Sequence, residues 1–199
     1  MGFKEFWANQ FREPKGFGGR IAAFIMNRMN RPMYKIVLTE IKSGMKVLDI
    51  GFGNGYMLKK LLKKYNSKFY GIDVSRDMVR LAAAKNKKAV KNGGLQIAEA
   101  SVGNIPFENK YNQIYTINTV YFWPELEKGL KEVYGKLEAG GEFLNVCYTK
   151  EHLDRISFTR YGFTKYSERE LIDAMRNAGF KTELIPIKKG KSFYIKAKK

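Results

Sequence analysis

The chain of 199 residues carries 37 lysine and arginine side chains against 19 aspartates and glutamates, which gives a formal net charge of +18. A hydrophobic content of 44% and an aromatic content of 14% exclude a disordered polycation and allow one domain with a core of ordinary size. The single cysteine, Cys147, excludes a disulfide framework and a zinc site built on paired cysteines.

The excess positive charge is spread along the chain. Residues 1–40 carry a net charge of +4, residues 41–140 of +8 and residues 141–199 of +6. Lysine accounts for 27 of the 37 basic residues, and its ammonium is a hydrated point charge without the planar fork that suits phosphates and bases. A lysine-coated surface is therefore favoured over a nucleic-acid footprint, although a nucleic-acid partner stays open.

The first 41 residues are predicted to form an N-terminal helical cover. Apolar residues recur at helical spacing over residues 3–11 and 20–30, and Pro32 suits the first turn of a further helix that ends near Ile41. No apolar run reaches the roughly 18 residues of a membrane span, and the first residues lack the apolar core of a signal peptide. We therefore expect a cytoplasmic protein without a membrane span.

Residues 42–199 alternate between predicted strands and helices. The strands are expected at residues 47–50, 69–74, 95–100, 111–118, 142–148, 181–188 and 192–197. The helices are expected at residues 55–65, 75–92, 125–137 and 168–177. Residues 149–166 fit no clear element and are expected to form a lid insertion. This alternation predicts one α/β domain, in which the last two strands form an antiparallel hairpin because their connection is too short for a crossover.

A glycine loop lies where the first strand leads into a helix. The strand ends in Asp49, the loop has the spacing G-x-G-x-G at Gly51, Gly53 and Gly55, and the second strand ends in Asp73. Glycines at such a turn let the backbone approach a ligand, and an acid about 20 residues later suits the hydroxyls of a ribose. The spacing differs from the G-x-G-x-x-G of dinucleotide binders, which favours a nucleoside that carries a small zwitterion.

These segments resemble the class I S-adenosylmethionine (SAM) dependent methyltransferases. KVLDIGFGNG (residues 46–55) is similar to their first motif and FYGIDVS (residues 69–75) to their second. The resemblance extends over roughly residues 35–199 and is strongest to the small-molecule branch that includes ubiquinone and menaquinone methyltransferases. Its further matches are residues 104–107, 111–123, 137–141 and 178–180.

The resemblance implies a fold and the cofactor SAM, whose product is S-adenosylhomocysteine. The fold is a Rossmann-like three-layer α/β sandwich around a seven-stranded, mostly parallel sheet in the order 3-2-1-4-5-7-6, with strand 7 antiparallel. Asp49 and the backbone of the three loop glycines are implied to hold the methionine part of the cofactor. Asp73 is implied to bind the ribose hydroxyls.

The adenine contacts are also implied by the resemblance. Val74 and Met78 are expected to pack on the adenine, although Met78 also suits the core face of its helix. The family often offers an aspartate to the adenine amino group after strand three, and the matching position here is Ser101, followed by Val102. A serine hydroxyl accepts the same hydrogen bond without the assistance of a charge.

The substrate wall is expected at the end of strand four, because open α/β sheets bind ligands at the carboxyl ends of their strands. Asn118 is a candidate contact for SAM or substrate. Tyr121, Phe122 and Trp123 are candidates to line an apolar or aromatic substrate, with packing on the following helix as the alternative. Four residues of the N-terminal cover are expected to reach the same pocket, with a packing role as the alternative: Met26, Asn27, Asn30 and Tyr34.

Two residues are candidates for a general base. His152, the only histidine of the sequence, lies in the lid insertion and is a candidate, as is Tyr121, although an exposed surface histidine is the simpler interpretation. One histidine and scattered acids predict no metal site.

The leading hypothesis is an enzyme that transfers a methyl group from SAM to a small-molecule acceptor by in-line displacement. The alternatives are an RNA methyltransferase, an NAD(P)-dependent Rossmann oxidoreductase and a non-catalytic SAM-binding module. The sequence leaves open the substrate, the atom that is methylated, the oligomeric state and whether the +18 charge has a function.

Overall fold

The computed structural model describes residues 2–199, except for the side chains of Phe3 and Arg20. The apolar spacing predicted over residues 3–11 includes Phe3, whose side chain lies outside the described part. The strands are β1 (Lys46–Ile50), β2 (Lys68–Asp73), β3 (Leu95–Glu99), β4 (Tyr111–Ile117), β5 (Leu137–Tyr148), β6 (Lys181–Lys188) and β7 (Ser192–Lys198). The helices are α1 (Phe3–Arg12), α2 (Gly16–Met29), α3 (Arg31–Glu40), α4 (Tyr56–Lys64), α5 (Arg76–Lys85), α6 (Lys87–Lys91), α7 (Leu126–Lys136), α8 (Lys150–Asp154) and α9 (Glu168–Asn177). Two 3₁₀ turns lie at Val120–Phe122 and Ser157–Arg160.

The strands form one sheet in the order β3-β2-β1-β4-β5-β7-β6. Strands β1 to β5 pair in parallel, and β7 is antiparallel to both β5 and β6. β1 and β2 are buried at every position after their first, as expected for strands that are covered by helices on both faces. The predicted α/β fold, strand order and antiparallel β7 are confirmed.

Local sequence signals explain where the helices begin and which face they bury. Ser75 caps α5 by accepting a hydrogen bond from the Met78 backbone N–H, and Ser167 forms a capping box with Glu170 at the start of α9. On α4, Met57, Leu58 and Leu61 are buried against the sheet. The four lysines of α4 are exposed, as a solvated face requires.

The elements depart from the predicted bounds in several places. The expected helix 75–92 is divided at Asn86, whose side chain donates to the carbonyl oxygens of Gly55 and Ala82. β5 begins at Leu137, because a shift in its pairing with β4 lets the strand run through the predicted glycine turn. Residues 149–166 contain α8 and a 3₁₀ turn.

The helix α2 also begins earlier than predicted, at Gly16 instead of Arg20. A Cβ atom at Gly19 would lie 2.6 Å from the backbone of Pro14, so only glycine permits this contact between α2 and the segment before it. Gly19 therefore serves close packing. No helix among the described residues is long and apolar enough to cross a membrane.

Candidate functional site

A cavity of about 300 Å³ opens at the carboxyl ends of β1, β2 and β4. This edge of an open parallel sheet is where α/β enzymes bind their ligands. The predicted residues that line the cavity are Tyr34, Asp49, Gly51, Gly53, Asp73, Val74, Ser101, Val102, Asn118, Phe122 and Trp123. The structure therefore brings most of the candidate cofactor and substrate residues to one place.

The loop after β1 requires glycine at position 51. Gly51 has a φ of +77°, and a Cβ atom added there would lie 2.3 Å from the Cγ2 atom of Thr119. This close approach brings the loop after β4 against the loop after β1. The two loops therefore form one continuous wall of the cavity.

Asp73 is held in place by backbone groups. Its Oδ2 accepts a hydrogen bond from the Gly53 N–H at 2.8 Å, and its Oδ1 accepts one from the Ser75 N–H at 2.9 Å. Burial raises the pKa of this carboxyl to about 6, whereas the two backbone hydrogen bonds lower it. The result is a fixed carboxylate with acceptor capacity left over for a ligand hydroxyl.

Asp49 is the more deeply buried acid of the cavity. Its Oδ2 accepts a hydrogen bond from the phenol of Tyr115 at 2.5 Å. Burial raises its pKa to about 8, and the nearby Asp73 contributes in the same direction, while the Tyr115 hydrogen bond opposes the rise. A buried acid of this kind gains a partner when a cation enters the cavity.

Asn118 links the strand ends to the N-terminal helices. It adopts a φ of +58°, a region in which asparagine is among the few tolerated non-glycine residues. Its Nδ2 donates to Oδ1 of Asn30 at 2.9 Å, and its Oδ1 accepts from the phenol of Tyr121 and from the Tyr148 N–H, each at 3.2 Å. Asn118 is thus a hydrogen-bonded junction between β4, β5 and α2.

The N-terminal segment closes one side of the cavity. The phenol of Tyr34 donates to Oδ1 of Asn27 at 2.8 Å, and Asn27 donates to Oδ1 of Asn54 in the glycine loop at 3.2 Å. The hydroxyl of Ser75 donates to the Pro14 carbonyl at 2.6 Å, which ties the segment before α2 to the end of β2. Met26, Asn27 and Asn30 line the cavity together with Tyr34.

Two predicted cofactor residues, Gly55 and Met78, do not line the cavity. A Cβ atom at Gly55 would lie 2.7 Å from the Ala82 side chain, so this glycine allows α4 to approach α5 closely. Met78 is fully buried within α5, which is the core position that was its alternative interpretation.

The two general-base candidates also lie away from the cavity lining. Tyr121 is buried, and its hydroxyl accepts the Tyr148 N–H at 2.6 Å, so it is a structural residue next to Asn118. His152 lies on α8 beside the Tyr148 ring, with 4.9 Å between ring centroids. Partial burial and nearby Lys191 and Arg155 lower the pKa of its imidazole.

Several lining residues were missed from the sequence. The segment before α2 contributes Phe11, Arg12, Glu13 and Pro14, and no local periodicity or spacing links these positions to the sheet. Thr119, which belongs to the segment after strand four that was predicted to form the substrate wall, does line the cavity. Among the described residues, no group of three or more histidines, cysteines or acids is placed to hold a metal ion.

The donor set of the cavity fits SAM. The methionine end of SAM is cationic, which matches the buried Asp49. The ribose of SAM offers two hydroxyls to the fixed carboxylate of Asp73. Val74 and Val102 line the same cavity and offer apolar surface for a purine ring, with the Ser101 hydroxyl beside them.

Known methyltransferases are similar to this chain in sequence and in fold. Residues 47–141 match the family model described as a methyltransferase domain. The Bacillus subtilis (strain 168) protein named uncharacterized methyltransferase YdaC is 29% identical over 164 residues, which cover 80% of this chain and 86% of YdaC. The chloroplastic 2-methyl-6-phytyl-1,4-hydroquinone methyltransferase of Arabidopsis thaliana is 29% identical over 140 residues, which cover 69% of this chain but 40% of that enzyme. The crystal structure of a SAM-dependent methyltransferase from Aquifex aeolicus matches 88% of this chain and 97% of its own with a TM-score of 0.70 at 24% identity.

The sheet order and a ligand cavity at the strand ends define a Rossmann-like nucleotide-binding fold. The domain match and the relatives narrow this class further: the chain is similar to class I SAM-dependent methyltransferases, its activity is SAM-dependent methyl transfer, and its cofactor is SAM. The activity and the cofactor predicted from the resemblance are confirmed, and the oxidoreductase and non-catalytic alternatives are set aside.

Proposed function

We propose that the acceptor is an apolar, aromatic small molecule that binds between the cofactor and the rings of Phe122, Trp123 and Tyr34. The single observation that carries this proposal is that these rings line the same cavity as Asp49 and Asp73. Aromatic side chains supply large apolar contact areas, and stacking with an aromatic ligand adds to this area. The acceptor named for the Arabidopsis relative, a hydroquinone, has this chemistry.

The roles within the cavity follow from its charges. We assign Asp73 to the ribose hydroxyls, Asp49 and the Gly51 to Gly53 backbone to the methionine end, and Val74 and Val102 to the adenine. Ser101 is assigned a hydrogen bond to the adenine. These assignments are supported by the fixed Asp73 carboxylate and by the burial of Asp49.

Bound SAM supplies an activated methyl group, because the sulfonium leaves as a neutral thioether. The task of the protein is then to align the acceptor and to exclude water. The phenol of Tyr34 stays protonated, because burial and nearby Asp49 raise its pKa. Its hydroxyl donates a hydrogen bond to Oδ1 of Asn27. We therefore assign Tyr34 a positioning role, with Glu13 and Arg12 as the remaining ionisable groups of the described lining.

We further propose that residues 1–41 act as a cover for the acceptor. The nine lining residues contributed by this segment support the proposal; they are Phe11, Arg12, Glu13, Pro14, Ala23, Met26, Asn27, Asn30 and Tyr34. The insertion at 149–166 supplies no lining residue, and its predicted role as a lid has no such support. The cytoplasmic location stays a prediction from the sequence. A nucleic-acid partner and the oligomeric state stay open.

The test is an assay of S-adenosylhomocysteine formation with panels of hydroquinones, phenols and aromatic amines, and with RNA as a separate arm. We expect turnover with an aromatic small molecule, and Phe122→Ala should raise the KM for that acceptor while leaving the Kd for SAM unchanged. Phe122→Leu, which keeps apolar volume, should recover part of the loss. Turnover with RNA alone would contradict the proposal.

A further inference from the structure

The helix α2 has an apolar face that is exposed to solvent. Phe17 is 78% exposed and Phe24 is 69% exposed, and Ile21 and Ile25 lie on the same side of the helix. Positions 17, 21, 24 and 25 follow the spacing i, i+4, i+7, i+8, which places them on one helical face. A contiguous apolar face of this kind on a small protein marks an interaction surface.

The helix α2 and the first residues of α3 are basic. From residue 16 to residue 35 the chain contains four basic residues and no acidic residue. The side chains of Arg28, Arg31 and Lys35 are exposed, and none of the ion pairs between described side chains engages them. Arg28 extends the apolar face itself, because it follows Phe24 and Ile21 at helical spacing.

The opposite face of α2 lines the ligand cavity. Ala23, Met26 and Asn27 belong to the cavity wall, and Ala22 is fully buried. The thickness of one helix, about 10 Å, therefore separates the cavity from an exposed apolar surface. An amphiphilic acceptor that leaves a lipid phase at α2 would have to move past only this helix.

We propose that α2 lies in the surface of an anionic lipid bilayer and that the acceptor is drawn from that bilayer. An interfacial helix of this type buries its apolar side chains at the boundary of headgroups and acyl chains, while basic residues contact anionic headgroups. The positive charge around α2 selects this partner over an apolar protein groove, which offers no countercharge. Docking does not depend on the proposed acceptor, whereas the lipid origin of the acceptor rests on the proposed function.

The first experiment is cosedimentation of the full chain with vesicles. Vesicles of phosphatidylcholine mixed with phosphatidylglycerol should bind the protein, and vesicles of phosphatidylcholine alone should bind it far less. Binding should fall as the salt concentration rises, because the headgroup attraction is screened. Failure of the unmodified protein to bind the anionic vesicles would overturn the proposal.

Variants locate the contact on the molecule. The double variant Phe17→Ser with Phe24→Ser should weaken vesicle binding by about tenfold or more, because two large apolar side chains are lost. Val90→Ser and Leu184→Ser are matched controls, since both residues are exposed apolar side chains elsewhere on the chain, and neither should weaken binding. Arg28→Glu should weaken binding more than Lys63→Glu, an equal charge change on the exposed face of α4.

Two further readouts keep the outcomes apart. The Kd for SAM should be unchanged in the double variant, which shows that the chain is folded and that the assigned cofactor site is independent of docking. Sedimentation of the protein without vesicles measures its oligomeric state. This measurement tests whether a second copy of the chain covers the α2 face. A dimer that the double variant dissociates, or equal loss of vesicle binding in the control variants, would overturn the proposal.

Discussion

Asp49→Asn is expected to stabilise the protein without ligand and to weaken its binding of SAM. The folded-state pKa of Asp49 is about 8, whereas an exposed aspartate titrates near 3.9. The folded state therefore binds more protons than the unfolded state between these values, so this carboxyl lowers stability progressively as the pH rises through that window. Asparagine keeps an oxygen that accepts from Tyr115 and removes the titration.

The magnitude follows from the distance between pH 7 and the unfolded pKa. That distance is about 3 pKa units at about 1.4 kcal/mol each, so the proton taken up by Asp49 on folding costs about 4 kcal/mol at pH 7. The amide nitrogen of the variant needs a partner in the cavity, which offsets part of the gain. We expect an increase of about 1–4 kcal/mol in the free energy of unfolding, or about 2–4 °C in Tm for each kcal/mol.

The assay is denaturant unfolding of the ligand-free protein at pH 5 and pH 7. The difference between Asp49→Asn and the unmodified chain should be larger at pH 7 than at pH 5. Asp173→Asn, at an exposed position on α9, is the matched control and should change stability by less than about 0.5 kcal/mol. A variant that is less stable than the unmodified chain at both pH values would refute the reasoning.

Binding of SAM gives the second readout for the same variant. A cation beside Asp49 favours the ionised carboxylate, so binding at pH 7 should release close to one proton, measured by calorimetry in buffers of different ionisation enthalpy. Asp49→Asn should abolish this proton release. It should also weaken SAM binding by about tenfold to a hundredfold, because a charged hydrogen bond is lost. Equal affinity and equal proton release in the two proteins would show that Asp49 does not face the cationic end.

Three further changes test the cavity. Asp73→Ala should weaken SAM binding by about 1–3 kcal/mol, because a ribose hydroxyl loses its charged acceptor; unchanged affinity in calorimetry would count against the assignment. Gly51→Ala places a Cβ atom 2.3 Å from Thr119 and should lower Tm and SAM affinity far more than Gly44→Ala, which has a φ of +85° and no atom within 4 Å of the added Cβ. Asn118→Ala should lower both quantities as well, because the Tyr148 N–H loses one acceptor and α2 loses its tie to β4; a thermal shift equal to that of the unmodified chain would contradict this.

The strands β1 and β2 and the two acids at their ends could be predicted for a local reason, whereas the strand order was implied by the resemblance. Each of these two strands is a short apolar run closed by polar or glycine residues, so its carboxyl end is readable from the chain. β1 and β2 are adjacent and in register, with Asp49 opposite Gly71, and Asp73 lies two residues further on. Two acids at the ends of neighbouring strands must therefore share one cavity.

The remainder of the site depends on contacts between distant segments. Phe11 and Glu13 reach the cavity because the chain before α2 is tied to the strand ends by bonds such as the one from the Ser75 hydroxyl to the Pro14 carbonyl. The glycine pattern alone likewise does not distinguish Gly51, which faces the cavity, from Gly55, which faces α5. Side-chain direction in a turn is set by tertiary packing, which spacing in the chain does not encode.

The most direct test of the account is a crystal structure with S-adenosylhomocysteine bound. The account predicts that the Asp73 carboxylate accepts hydrogen bonds from the ribose hydroxyls at 2.5–3.0 Å, the ordinary range for O–H···O bonds. It also predicts that the amino group of the ligand lies beside Asp49 and that the sulfur faces Phe122 and Trp123. A ribose out of reach of Asp73, or a sulfur that faces away from these rings, would contradict it.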